Sequence, residues 1–263
     1  MIRLDRVHDY FAGSATHDCN LGLASELAAN VTNFSNQLLN HLPPGTLQYW
    51  KPQLESVELQ IGQVIYAANV PLDYVYFPTT AIISLLNLLE SGSSAEIAVI
   101  GKEGIVGFAL LLGGDSSPGY AIVQAAGHAY RVSAQFIKHE FGLEGPPMHV
   151  LLRYTQALIT QMAQTAVCYR HHSLDQQLCR WLLFRLDRLQ DTNVDVTQEL
   201  IARLLGVRRQ GITASARKLQ TAGLIQYARG KIIVLNRREI ERRACECYSV
   251  VTTEYRRLLP NSL

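Results

Sequence analysis

VTQELIARLLGVRRQGITASARKLQTAGLIQYARGKIIVL, residues Val196 to Leu235, holds two short helical patterns with a glycine between them. Ile201, Leu204 and Leu205 form the apolar face of the first pattern, and Ile212, Ala216 and Leu219 that of the second. Thr197 is placed to cap the first helix, with Val196 and Ile201 as a hydrophobic staple. Ala202, Gly206 and Ile212 stand at relative positions 0, +4 and +10. Two helices crossing closely need a small residue at the crossing, a turn residue tolerant of φ > 0 and an apolar plug behind it. That spacing is a helix-turn-helix. Arg209, Gln210, Thr213 and Arg217, with Arg208 before them, share the opposite face of the second helix. Arg and Gln pair bidentately with guanine and adenine edges in a major groove. Leu224–Gln226, a turn at Arg229-Gly230 and Ile232–Leu235 then read as a hairpin wing. Helix pairs with a glycine turn often only pack; the spacing, the basic face and the wing together point to a winged helix-turn-helix that reads double-stranded DNA.

Charge distribution agrees. The 263 residues carry a formal net charge of only +2. Residues 1–194 hold 11 Lys and Arg against 16 Asp and Glu, a net of −5, whereas residues 195–263 hold 13 against 6, a net of +7. Phosphate attraction needs the positive charge where the reading helix is. Hydrophobic content of 48% with 17% charged residues fits a globular chain able to fill two cores. Five cysteines, Cys19, Cys168, Cys179, Cys245 and Cys247, form no regular framework, which favours reduced thiols. No run approaches the ~18 apolar residues of a membrane span, and the N-terminus lacks a signal-peptide core. A cytoplasmic protein without membrane contact is expected.

Going outward along the chain, residues 1–32 lack periodicity and are expected to be a loosely ordered arm. Asn36–Leu42 and Thr46–Leu54 suggest short helices broken at Pro43-Pro44-Gly45. From Val57 the texture turns to short strands: Val57, Leu59 and Ile61 alternate with Glu58, Gln60 and Gly62. Such segments recur for about 80 residues at turn spacing, as in a sandwich or barrel. From Pro147, Leu151, Tyr154, Leu158, Met162, Thr165 and Tyr169 recur every three or four residues. So long a helix needs a partner along its stripe, either the β domain or, better, a second copy, because two-fold DNA readers are dimers. A helix over about Leu174–Gln190 leads into the helix-turn-helix. After the wing, Asn236–Glu239 resembles a capping box, and Ile240, Ala244, Cys247, Val251, Tyr255 and Leu258 continue as one amphipathic helix.

A β domain, a long helix and a C-terminal winged helix-turn-helix together resemble the Crp/Fnr family of bacterial transcription regulators over roughly residues 35–235. The motifs carrying the resemblance are GKEGIVGFALLLGG, VTQELIARLLGVRRQGITASARKL and, for one branch, RHHSLDQQLCRWLL. It implies an α+β chain: an antiparallel, cyclic-nucleotide-binding-like β-roll over 33–146, a dimerisation helix over 147–172 and a DNA-binding domain over 173–263. It further implies a homodimer on a near-palindromic operator, with RNA polymerase as a partner and a possible small-molecule effector. No enzymatic activity is expected.

The resemblance carries over residue by residue. Thr197 matches a phosphate-contacting threonine and Arg209 the principal guanine-reading arginine. Gln210 replaces a base-reading glutamate, which shifts preference from a cytosine amine towards adenine. Ala214 stands where many members have a second base-reading arginine. Arg208 replaces a serine or threonine, losing a cap and adding a phosphate-seeking charge. The DNA-contacting set expected is thus Thr197, Gln198, Arg208, Arg209, Gln210, Thr213, Ala214, Arg217 and Lys231.

On the ligand side the corresponding pocket comprises Ile105, Val106, Gly107, Phe108, Gly119, Tyr120 and Ala121. Members that bind cyclic AMP have a glutamate where Phe108 stands and an arginine in an Arg-Ser-Ala run where this chain reads Gly119-Tyr120-Ala121. Losing the phosphate's arginine removes a charge-assisted bond worth about 1.5–3 kcal/mol, so cyclic AMP is not the expected effector. Free amides around Ile105–Gly107 remain as an anion cradle. No cofactor is expected: an iron–sulfur centre needs several thiolates, and near the N-terminus there is only Cys19. Cys168 and His172, four apart, have a chelating spacing, and Cys245-Glu246-Cys247 is a lone Cys-x-Cys whose thiols would diverge by about 200° on a helix; both are read as packing, with no metal. An enzyme or carrier built on the β domain would need metal-binding histidines, of which Val57–Val132 has only His128. A first half serving protein–protein interaction stays open beside ligand sensing.

Overall fold

The computed structural model describes residues 34–189 and 192–260; the expected N-terminal arm lies outside them. Pro44–Trp50 (α1) follows a single 3-10 turn at Leu39–His41, and a further 3-10 turn covers Lys51–Gln53. Pro44 occupies the first helical position, where its missing N–H costs nothing. The Pro-Pro-Gly stretch therefore starts the helix rather than breaking two, which corrects the bounds expected from the sequence.

Two antiparallel sheets follow. One pairs β1 (Glu55–Leu59), β7 (Gly127–Ser133) and β3 (Tyr74–Pro78) in that order. The other runs β2 (Val64–Tyr66), β6 (Tyr120–Ala125), β4 (Ile82–Leu88), β5 (Ser94–Ile100). Val75, Phe77, Ile83, Leu85, Val123 and Val132 belong to the core cluster, against which the half-buried Val57 packs, with Trp50, whose indole donates to Glu140 Oε2 at 2.9 Å. Every residue from Ile82 to Leu86 is buried, unlike a half-exposed strand. The cause is on the far side: Leu86, Tyr120 and Ile122 belong to a second core with Leu178, Leu182 and Ile201 of the C-terminal region.

Helix α2 (Ala134–Gly142) is capped by Ser133, whose hydroxyl accepts from the Phe136 amide. Helix α3 (Pro146–His171) is the longest element, and α4 (Leu174–Leu186) begins after two residues with a complete Ser173–Gln176 capping box. The rest comprises β8 (Asn193–Asp195), α5 (Gln198–Leu205), α6 (Arg209–Thr221), β9 (Ile225–Ala228), β10 (Lys231–Val234), α7 (Arg237–Arg243) and α8 (Glu246–Leu258). The molecule is thus α+β: an N-terminal antiparallel β domain, a long helix and a C-terminal winged helix-turn-helix. Among the described residues no helix is long and apolar enough to cross a membrane.

Two expectations are corrected. The periodic stripe of α3 faces its own chain: Leu151, Tyr154 and Leu158 are buried in the first core. Tyr154 donates to the Ile105 carbonyl (3.1 Å), Tyr169 to that of Glu96 (3.0 Å), and Gln161 bridges the Val99 carbonyl and the Tyr255 hydroxyl. The stripe has no room for a second copy. The C-terminal helix is also two helices, because Ala244 and Cys245 are extended. Ile240 fills the second core whereas Val251, Tyr255 and Leu259 fill the first; one straight helix could not reach both.

Candidate nucleic-acid interface

The helix pair is assembled as its spacing requires. Thr197 accepts from the Leu200 amide at 3.2 Å, capping α5. Gly206 ends that helix at φ 66°, a left-handed conformation that glycine adopts without strain. Ala202 lies buried at the crossing and Ile212 is wholly buried behind it. Gly211, on α6, lies close against α4: a Cβ there would meet Leu174 Cδ2 at 2.7 Å and have to push that methyl aside.

Arg208 is the N-cap of α6 and makes no side-chain cap bond, leaving its guanidinium outward. Arg208, Arg209, Gln210, Ala214 and Arg217 are all exposed. Among the described residues, an ion pair engages Lys218 with Asp175 (2.8 Å) but none engages Arg208, Arg209 or Arg217. Thr213 is half-buried, and its hydroxyl reaches Gln198 Oε1 at 2.6 Å, tying the two helices together. The Gln198 amide donates to the Tyr227 hydroxyl at 3.2 Å, which links α5 to the wing. Nine residues singled out from sequence thus fall on α5, α6 and the wing, with Thr197, Gln198, Thr213 and Lys231 partly covered and the others open.

The wing turn is a two-residue connection with Arg229 at φ 50° and Gly230 at φ 78°. Both residues being left-handed matches the twist of the flanking strands. On the sequence Arg229 is only a turn residue; in the fold it is an exposed cation at the wing tip, beside Lys231. A third wing strand, β8, pairs Asp195 with Lys231 and was not anticipated, since three residues show no periodicity.

This unit is bolted to the β domain through charge. Arg185 donates to Glu96 Oε2 at 2.6 Å while its guanidinium stacks 3.6 Å from the Trp181 ring centre. Ser84 donates to the same carboxylate. Arg188 donates to Glu103 at 2.8 Å, and both side chains are wholly buried. The GKEG motif thus supplies an anchor for α4.

The expected ligand segments are packed. Ile105 and Val106 are wholly buried, Tyr120 is 7% exposed and Ala121 is buried. The Val106 amide is not free: it donates to the Tyr76 carbonyl at 2.8 Å, so the expected anion cradle loses that donor. A Cβ on Gly107 would come within 2.9 Å of Val75, and one on Gly119 within 2.8 Å of the Leu86 carbonyl. Close packing accounts for both glycines.

The cysteines diverge most from the sequence reading. Cys245 is the N-cap of α8, with φ −80° and ψ 164°, and Cys247 lies inside the first turn. The two are not successive helical positions, so the expected divergence of about 200° does not apply. Cys168, His172, Cys245 and Cys247 converge, with their ligand atoms all within 4.8 Å of one another.

Comparison with known proteins agrees with this architecture. A cyclic nucleotide-binding domain model matches residues 56–141 and a Crp-like helix-turn-helix domain model matches residues 176–243. No curated protein matches the chain. Among solved structures, a putative Crp/Fnr transcriptional regulator from Eubacterium rectale is 17% identical over 80% of this chain and 98% of its own, with a TM-score of 0.64. FixK2 from Bradyrhizobium japonicum is 16% identical over 73% and 98%, with a TM-score of 0.61. The c-di-GMP responsive regulator CLP of Xanthomonas campestris is 14% identical over 73% and 99%, with a TM-score of 0.58. At such identities the likeness is one of fold. With the two family models matched in order on one chain that folds as both describe, the protein belongs to the Crp/Fnr family of transcription regulators.

Proposed function

We propose that this regulator binds a near-palindromic operator as a cytoplasmic homodimer and does so without cyclic AMP. The observation that carries DNA reading is the open basic face of α6, where Arg208, Arg209 and Arg217, without ion pairs among the described residues, flank Gln210. Arg209 and Gln210 read bases, Ala214 leaves one base uncontacted, and Thr197, Gln198, Arg208, Thr213, Arg217 and Lys231 position the backbone.

The dimer reading is supported by a second face of α3. Leu152, Gln156, Ile159, Ala163, Ala166 and Arg170 follow one another at alternating spacings of four and three, and all six are exposed. That is an a/d seam of a coiled coil, with small residues that let two helix backbones approach. A surface recess lined by His149, Leu152, Arg153, Gln156 and Leu258 continues it. Two copies joined along it would present their α6 helices to half-sites ~34–36 Å apart. Phe108 and Gly119–Ala121, with the Val106 amide already used, support a β domain that works without cyclic AMP, as a sensor of another effector or a surface for a protein partner such as RNA polymerase.

Selection of random duplex DNA by the purified, ligand-free protein tests the reading, repeated with Arg209→Ala. The expected result is a two-fold motif whose discrimination at one base pair per half-site relaxes by about 1–3 kcal/mol in the variant. An unchanged motif in Arg209→Ala would overturn the assignment.

A further inference from the structure

We propose that Cys168, His172, Cys245 and Cys247 form a Cys3His site for one zinc-class divalent ion, joining the end of α3 to the start of α8. Cys168 Sγ lies 3.5 Å from Cys245 Sγ, and Cys247 Sγ lies 3.6 Å from His172 Nδ1. A tetrahedron built on Zn–S bonds of ~2.3 Å and a Zn–N bond of ~2.05 Å has S···S edges of about 3.8 Å and S···N edges of about 3.6 Å. Both observed edges match within a few tenths of an ångström. A polynuclear iron–sulfur cluster places its metal atoms between the thiolates and would spread them wider.

The surroundings fit a metal as well as the ligands do. His172 turns Nδ1 to the thiols and Nε2 to Glu246 Oε1 at 3.2 Å. A metal-bound histidine commonly directs its other nitrogen at a carboxylate in this way, which holds the ring's orientation and raises its basicity. Cys245 stands at the N-cap position of α8 and Cys247 in its first turn, where the N-terminal end of the helix dipole favours thiolate. Three thiolates, one neutral histidine and one divalent ion sum to a single negative charge. Arg180 supplies the counter-charge: it is buried, among the described residues it makes no ion pair, and its Nε has no partner. Among the described residues it donates only to Thr165 Oγ1, at 3.1 Å, and it lies over the rings of Tyr169 and Phe184. A buried guanidinium without an anion is costly, and an anionic metal centre nearby removes that cost. Arg180 reaches this corner of the fold: its partner Thr165 lies about one turn before Cys168 on α3.

All four ligands are protein side chains and all three cysteines are buried, so the set is closed, as in structural rather than catalytic zinc sites. Loading releases the thiol protons and leaves oxidation states unchanged. The ion would hold the corner where α3 hands over to α4, since His172 is the last residue before the Ser173 cap.

The test uses the full-length protein purified in reductant without chelator. Elemental analysis should find one zinc per chain, and cobalt added to the stripped protein should give the intense visible bands of a tetrahedral site with thiolate charge transfer. Cys247→Ser should lose that spectrum, Glu246→Gln should weaken zinc binding by about 10–100-fold, and Cys179→Ala, outside the cluster, should bind as the parent does. A weak octahedral cobalt spectrum, no binding at micromolar metal, full affinity in Cys247→Ser, or a Cys168–Cys245 disulfide that forms despite excess zinc would each overturn the site. Should Cys247→Ser not fold, the stoichiometry and cobalt spectrum of the parent protein decide alone.

Discussion

Arg217 and Arg209 lie two turns apart on one helix, yet the interface asks different things of them. Arg217, further along α6, is exposed and, among the described residues, makes no ion pair; we assign it a phosphate contact and Arg209 a base contact. Arg217→Ala should therefore weaken binding evenly across operator sequences and lower the slope of log affinity against log salt by about 1; fluorescence anisotropy over a salt series measures it. Glu103 is the opposite kind of residue, a wholly buried carboxylate whose partner Arg188 is equally buried. Glu103→Gln strands that cation, and breaking such a pair costs about 3–5 kcal/mol. Urea unfolding should show the loss, and Arg188→Met added to Glu103→Gln should recover most of it. Spacing alone puts Arg217 on the polar face of its helix, whereas Glu103 is, on the sequence, one charge among many. Exposure and partner distinguish them.

Helix α3 carries two apolar patterns on one cylinder, and only one of them is internal. The stripe through Leu151, Tyr154 and Leu158 is the more hydrophobic, so periodicity selects it first. It is consumed inside the chain by β5 and α8. The second seam, Leu152 to Arg170, is diluted by Gln156, Ala163 and Ala166 and reads weakly in one dimension, but it is the exposed one. Ala163→Glu places a charge in the middle of that seam without touching the internal stripe. The variant should sediment as a folded monomer with an unchanged circular dichroism spectrum; a dimer that persists would remove the seam from the interface. Helices α7 and α8 repeat the point. A 3–4 spacing continuous through Ala244 gives no local reason to stop, and the break arises because the two halves serve different cores.

Across the molecule, the β domain and the DNA-binding unit share one interior. Leu86, Tyr120 and Ile122 of the sheet pack with Leu178 and Leu182 of α4, and the Glu96–Arg185 and Glu103–Arg188 pairs cross the same boundary in near-complete burial. Hinged domains usually meet through smaller, more polar contacts. Unfolding in differential scanning calorimetry should therefore be a single transition with calorimetric and van't Hoff enthalpies in agreement, and two resolved peaks would show that the units are independent. Local signals were enough for the helix-turn-helix, its cap, the wing turn, the strand-rich first half and the basic face, because each follows from spacing within one or two turns of chain and from the few residue types that tolerate the geometry. Long-range placement alone settled the rest. Cys168 and Cys245 are 77 positions apart, Arg188 and Glu103 are 85 apart, and the α3 stripe and seam compete for partners that only packing assigns. Periodicity reports which face of an element is apolar, whereas its neighbour is decided by the folding of all the other elements at once.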